Sequence, residues 1–140
     1  MKKIILLLSV STLVFAGKLA DKKAMIEAVA ASKKASSNIK KACGADISYE
    51  FEKLDAKDLE KQSIKGRIDD VATGITQVCA TGQDEKDAVK ESFTKIKMKY
   101  DSSVKKKIKV EIAKKDLIIN YSWDSPNIYQ TVREWLKSNL

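Results

Sequence analysis

At residue 95 the spacing of apolar side chains changes, and that change constrains the fold more than any other feature of the chain. Upstream, apolar residues recur every three or four positions; downstream, they recur every second position. Ile96, Met98 and Tyr100 alternate with Lys95, Lys97 and Lys99. Ile108, Val110 and Ile112 alternate with Lys107, Lys109 and Glu111, and Leu117, Ile119, Tyr121 and Trp123 with Ile118, Asn120 and Ser122. Asp101-Ser102-Ser103 and Lys114-Lys115-Asp116 read as the turns between them. The pattern predicts three short-linked strands forming an antiparallel meander with one buried face.

The upstream half reads as helical with one interruption. Met25, Val29, Ser32, Ala35, Ile39 and Ala42 form a narrow, alanine-rich stripe over Asp21 to Cys43, and Gly44 follows where a left-handed cap needs glycine. Ile47, Tyr49 and Phe51 alternate with Ser48, Glu50 and Glu52, a fourth, half-buried strand. Asp55, with Leu54 and Leu59 at the staple positions, starts a short helix from Ala56 to Gln62. Ile64, Ile68, Val71, Ile75 and Val78 mark a further helix ending near Gly82, and Asp84 caps another that carries Ala88, Val89 and Phe93. Ser125 and Pro126 are a helix-start signal ahead of Ile128, Val132, Trp135, Leu136 and Leu140. The expected fold is α+β, an antiparallel sheet of about four strands with four to five helices packed mainly on one face.

The N-terminus bears on compartment. Lys2 and Lys3 precede a mostly apolar run from Ile4 to Ala16, and Val14-Phe15-Ala16 supplies the residues of a cleavage site. This is the three-part pattern of a secretory signal peptide. It predicts a leader over 1–16, a single domain over 17–140, and export to the periplasm or the extracellular space. A bilayer-spanning helix needs about 20 apolar residues, and Lys18, Asp21, Lys22 and Lys23 end the run too soon, so no transmembrane segment is expected in the mature chain. In an oxidising compartment the two cysteines, Cys43 and Cys79, are expected to form the one disulfide open to them. With no histidine in the chain, two cysteines fall short of a structural zinc site.

Cys43-Gly44 ahead of a strand, the mid-chain Cys79, a strand ending Tyr121-Ser122-Trp123, and the closing Glu134-Trp135-Leu136 together make a recognisable layout. It resembles a loose set of small exported bacterial proteins to which no activity is assigned. The resemblance implies an α+β domain with one disulfide and carries no catalytic residues with it.

Charge supplies the functional expectation. Residues 95–115 hold nine lysines against Asp101 and Glu111, a net +7, whereas the whole of 17–140 carries about +6. Strand alternation places Lys95, Lys97, Lys99, Lys107 and Lys109 on one face. If the first two strands of the meander pair as a hairpin, like charges lie side by side at a cost, which an anionic partner would relieve. Anionic lipid, lipopolysaccharide or an acidic protein are the partners such a face fits; lysines that merely keep a sheet soluble are the plainer reading. Only Arg67 and Arg133 are arginines, which argues against specific nucleic-acid readout. Trp123 and Trp135 read either as core or as an exposed aromatic platform for a sugar or a protein partner. The absence of histidine removes imidazole-based catalysis, the scattered glycines offer no phosphate loop, and Asp69, Asp70, Glu50 and Glu52 read as surface charges. The expectation is a non-enzymatic binding module without metal or cofactor. An inhibitor, immunity or assembly factor that uses the aromatic C-terminal region is the alternative.

Overall fold

A computed structural model of the protein describes residues 19–52 and 64–140. The expected leader and the expected short helix over 56–62 lie outside those residues. The elements are α1 (Leu19–Cys43), β1 (Ser48–Glu52), α2 (Ile64–Cys79), α3 (Gln83–Ser92), β2 (Lys95–Tyr100), a 3-10 turn (Ser102–Val104), β3 (Lys109–Ala113), β4 (Asp116–Tyr121) and α4 (Ile128–Asn139). Helix and strand are mixed as expected, with four α-helices among the described residues. None of these helices is long and apolar enough to cross a membrane.

The sheet corrects the expectation of an antiparallel meander. Its order is β1-β2-β4-β3: β1 and β4 both run parallel to β2, and only β3 and β4 are antiparallel. The anticipated hairpin of β2 with β3 does not form, because β4 lies between them. Two physical reasons favour this order. First, β4 is apolar on both faces: Leu117, Ile119 and Tyr121 are fully buried and Ile118, on the opposite face, is only 9% exposed. Strands apolar on both sides belong in the interior of a sheet. Second, a hairpin of β2 with β3 would set lysines against lysines. The observed register instead sets Glu50 opposite Lys97, Glu52 opposite Lys99, and Lys95 opposite Asp116.

The core lies between the helices and the sheet face that carries Tyr49, Ile96, Met98, Leu117, Ile119 and Tyr121. Helix α2 is the central helix and packs against both α1 and α4. Its Ile64, Ile68, Val71, Ile75 and Val78 are buried as their spacing predicted. On α1 the buried stripe is Ala28, Ala31, Ala35, Ile39 and Cys43, rotated by about one residue from the expected one, with Met25, Val29 and Ala42 at its margin. Small residues there let α1 lie close against α2. Gly74 does the same between α2 and α4: a Cβ at this position would sit 2.6 Å from the Tyr129 carbonyl oxygen.

The disulfide forms between Cys43 and Cys79, with a Cα–Cα distance of 5.3 Å. Each cysteine is the last residue of its helix, so the bridge joins the C-terminal ends of α1 and α2. Gly44 takes φ +70°, the left-handed cap its position predicted. The start of α4 differs from expectation. Pro126 precedes the helix, which begins at Ile128 behind a left-handed Asn127. Ser125 is buried and caps nothing; its hydroxyl donates toward the carbonyls of Lys105 and Lys107 at 3.2 and 3.0 Å.

Candidate functional site: the lysine-rich edge of the sheet

The nine lysines of 95–115 divide into two groups with different surroundings. Lys95, Lys97 and Lys99 project from β2 on the sheet face opposite the core, between the acidic side chains of β1 and the start of β4. Lys95 pairs with Glu50 at 3.0 Å, Lys97 with Asp116 at 3.3 Å and Glu52 at 3.9 Å, and Lys99 with Glu52 at 3.4 Å. The hydrogen bond to Asp116, with the charge of Glu50 adding to it, holds the Lys97 ammonium above the ordinary lysine range against the opposing effect of burial. Glu50, Glu52, Glu111 and Asp116 share this face with Lys95, Lys97, Lys99 and Lys109. Four acids against four lysines leave it without net charge. Four of the five lysines anticipated on one face do share it, with Lys107 just ahead of β3, but the face is not positive, because β1 and the start of β4 bring carboxylates to Lys95, Lys97 and Lys99.

The other six, Lys105, Lys106, Lys107, Lys109, Lys114 and Lys115, are all exposed, and none forms an ion pair among the described residues. They line β3, which is an edge strand. Lys105 to Lys107 stand just before it, Lys109 begins it, and Lys114 and Lys115 turn the chain into β4. Glu111 is the one acid among them. The two ends of this row are about 20 Å apart at the rise of a strand. Lys105, Lys106, Lys114 and Lys115 were not among the candidate residues drawn from strand alternation. The available signal was that the lysines continue through both turns, where alternation says nothing.

The backbone under these lysines is unusual. Lys105 adopts φ 52°, ψ −118°, and the Lys107 amide donates to the Val104 carbonyl at 2.8 Å. That is a type II′ turn with lysine at the first central position, which glycine normally holds. Lys114 and Lys115 take φ 53° and 68° in the two-residue link of the β3–β4 hairpin. Type I′ turns of this kind prefer Asn-Gly because a Cβ is crowded at positive φ. Three of the four non-glycine residues at positive φ among the described residues are thus lysines of this edge. The loop is anchored through its backbone. The Lys105 carbonyl accepts from the hydroxyls of Ser122 and Ser125, and the Ser122 amide donates to the Ser125 hydroxyl at 3.0 Å. Carbonyls point inward to two buried serines, and the lysine side chains are left to solvent.

The aromatic residues hold a different place. Trp123 packs with Tyr100 and Tyr121, at ring-centroid distances of 5.8 and 5.7 Å. The Arg67 guanidinium lies 5.8 Å from the centre of the Trp123 ring and donates to the carbonyls of Ser125 at 2.7 Å and Trp123 at 2.5 Å. Trp135, on α4, is half-buried against the core and does not belong to that cluster. Of the carboxylates, Asp69 pairs with Lys65 in the same helix. Burial raises the pKa of Asp70, and Asp69 adds to the shift while Arg67 opposes it.

Searches of protein-family models, of curated proteins and of solved structures return no match to this chain.

Proposed function

We propose that the protein is a small, exported, non-enzymatic binding module of the cell envelope, and that it engages an anionic surface or partner through the lysines along β3. The contact set is Lys105, Lys106, Lys107, Lys109, Lys114 and Lys115. Lys95, Lys97 and Lys99 fall outside it because they already stand beside carboxylates. One observation carries the reading: Lys105, Lys114 and Lys115 occupy backbone conformations in which glycine or asparagine would be more stable. Backbone strain of this kind costs about 1–3 kcal/mol per residue and concentrates at functional positions. A lysine that serves only solubility works as well at any unstrained surface position. Internal acids answer the β2 lysines and leave the edge lysines unanswered, so the β3 edge presents a run of positive charge to solvent.

The test is binding of the oxidised protein to polyglutamate and to phosphatidylglycerol vesicles at low and moderate ionic strength. Binding to at least one of them is expected, weakening steeply as the screening length falls to about 10 Å near 0.1 M salt. Charge reversal at Lys106, Lys107 and Lys114 should abolish it in folded protein. Salt-insensitive association, or association unchanged by the reversal, refutes the reading.

A further inference from the structure

We infer that the partner is an extended acidic polypeptide segment that adds as a fifth strand alongside β3. The inference deepens the anionic-binding reading and rests on it. Three features of the edge meet in this assignment. Among the described residues β3 pairs with β4 on one side only, so the backbone groups on its other side are those of an edge. Exposed edges are templates for an added strand, in which main-chain hydrogen bonds supply affinity and alternate side chains supply selectivity. The side chains of β3 also differ between its faces. Ile108, Val110 and Ile112 are half-buried at the margin of the core, while Lys109 and Glu111 are exposed on the opposite face. An added strand would therefore find an apolar row on one side and polar positions on the other. Finally, six lysines bracket the strand at both ends and along it, against the single acid Glu111. The occupant that satisfies all three alternates apolar with acidic residues and carries no acid opposite Glu111.

Charge rules against the other occupants. In an antiparallel pairing of two copies through β3, the Lys105–Lys107 loop of one comes beside the Lys114–Lys115 turn of the other, five lysines at each corner. A parallel pairing sets Lys109 beside Lys109. The opposite edge, β1, carries Glu50 and Glu52 and repels an acidic strand. A flat anionic membrane fits poorly for another reason. The lysines lie along an edge rather than over a face, and the large exposed apolar residues among the described residues, Ile26, Tyr129 and Leu140, belong to α1 and the C-terminal segment rather than to their surroundings.

The experiment compares probes of equal charge on the disulfide-bonded protein: a peptide of about eight residues alternating glutamate and valine, with threonine in place of the glutamate that would face Glu111, and two versions of it N-methylated at the odd or at the even residues, so that one or the other edge of its backbone cannot pair. The unmethylated peptide is expected to bind at least tenfold tighter than the version whose methyl groups lie on the pairing edge. Its binding should slow amide exchange within Lys109–Ala113. Glu111→Lys should tighten it and Lys109→Glu weaken it, both positions being exposed. Equal affinity of the unmethylated peptide and of both methylated versions, with the salt dependence intact, overturns strand addition and leaves the anionic reading standing. Binding to phosphatidylglycerol vesicles but to none of the peptides also overturns it, in favour of a lipid surface. Failure of every anionic probe overturns both readings. A doubling of mass in the absence of peptide, abolished by Glu111→Lys, would show a second copy on the edge and refute the acidic-strand assignment.

Discussion

Replacing Lys114-Lys115 by Asn-Gly should make the protein more stable and a worse binder of anions. Both residues sit at positive φ in a two-residue hairpin link. An L-residue in the left-handed region gives up about 1–2 kcal/mol that glycine does not, and asparagine recovers a few tenths through local hydrogen bonding. Against this stands the loss of the bond from the Lys115 ammonium to the Glu91 carbonyl, an exposed contact of at most about 1 kcal/mol. The backbone bond from the Thr94 amide to the Lys115 carbonyl, at 2.9 Å, is kept. The net expectation is a gain of about 1 kcal/mol, a rise in melting temperature of about 3–5 °C for a domain of this size. Removing two exposed charges should at the same time weaken binding to polyglutamate at low salt by about 1–2 kcal/mol, or 5–30-fold. Calorimetry under oxidising conditions reads the first quantity and fluorescence anisotropy the second. A variant of unchanged or lower stability would show that the turn does not disfavour lysine, and would remove the argument that these residues are retained for contact. Unchanged affinity would place the contact elsewhere.

Gly74→Ala should destabilise the domain by about 1–3 kcal/mol by overpacking, despite the better helix propensity of alanine, because the new methyl meets the Tyr129 backbone and Val132; urea unfolding measures it. Reduction of the disulfide, or Cys43→Ala with Cys79→Ala, should cost about 4 kcal/mol from the 36-residue separation it closes, read as a lower denaturation midpoint in the presence of reductant. Because the folded-state pKa of Lys97 is raised, its contribution to stability is complete below the ordinary lysine pKa and is lost as pH climbs through the higher folded value. Lys97→Met should flatten the alkaline limb of a stability–pH curve, and an unaltered limb would show the ion pairs to be energetically idle.

The helices were legible in the sequence because their burial follows from a period that each carries alone. Ile64, Ile68, Val71, Ile75 and Val78 face the core wherever the rest of the chain goes. The left-handed Gly44 and the pairing of the two cysteines were equally local inferences, resting on residue type and count. Strand alternation likewise assigned Ile96, Met98, Leu117 and Ile119 to one face and the β2 lysines to the other. Alternation does not say which strand lies beside which. A hairpin of β2 with β3 was the shortest connection, and it was wrong. The sign that β4 is interior, an apolar run of Leu117, Ile118 and Ile119, was present but competed with proximity along the chain.

Neighbour order then decided the electrostatics. The sequence by itself determined that the positive excess lies within 95–115, since charge per segment does not depend on folding. Only the tertiary structure decided which of those charges remain unanswered. Glu50 and Glu52 reach the β2 lysines from more than 40 residues away in the chain, through a parallel pairing of β1 with β2. Coulomb interactions act over ångströms of space, not over residues of chain. The positive φ angles of Lys105, Lys114 and Lys115 are tertiary in origin for a related reason. The Lys114-Lys115 turn takes the hand that matches the twist of the hairpin it closes, the Lys105 turn is held by the bonds of its carbonyls to Ser122 and Ser125, and the residues within both conform at their own cost.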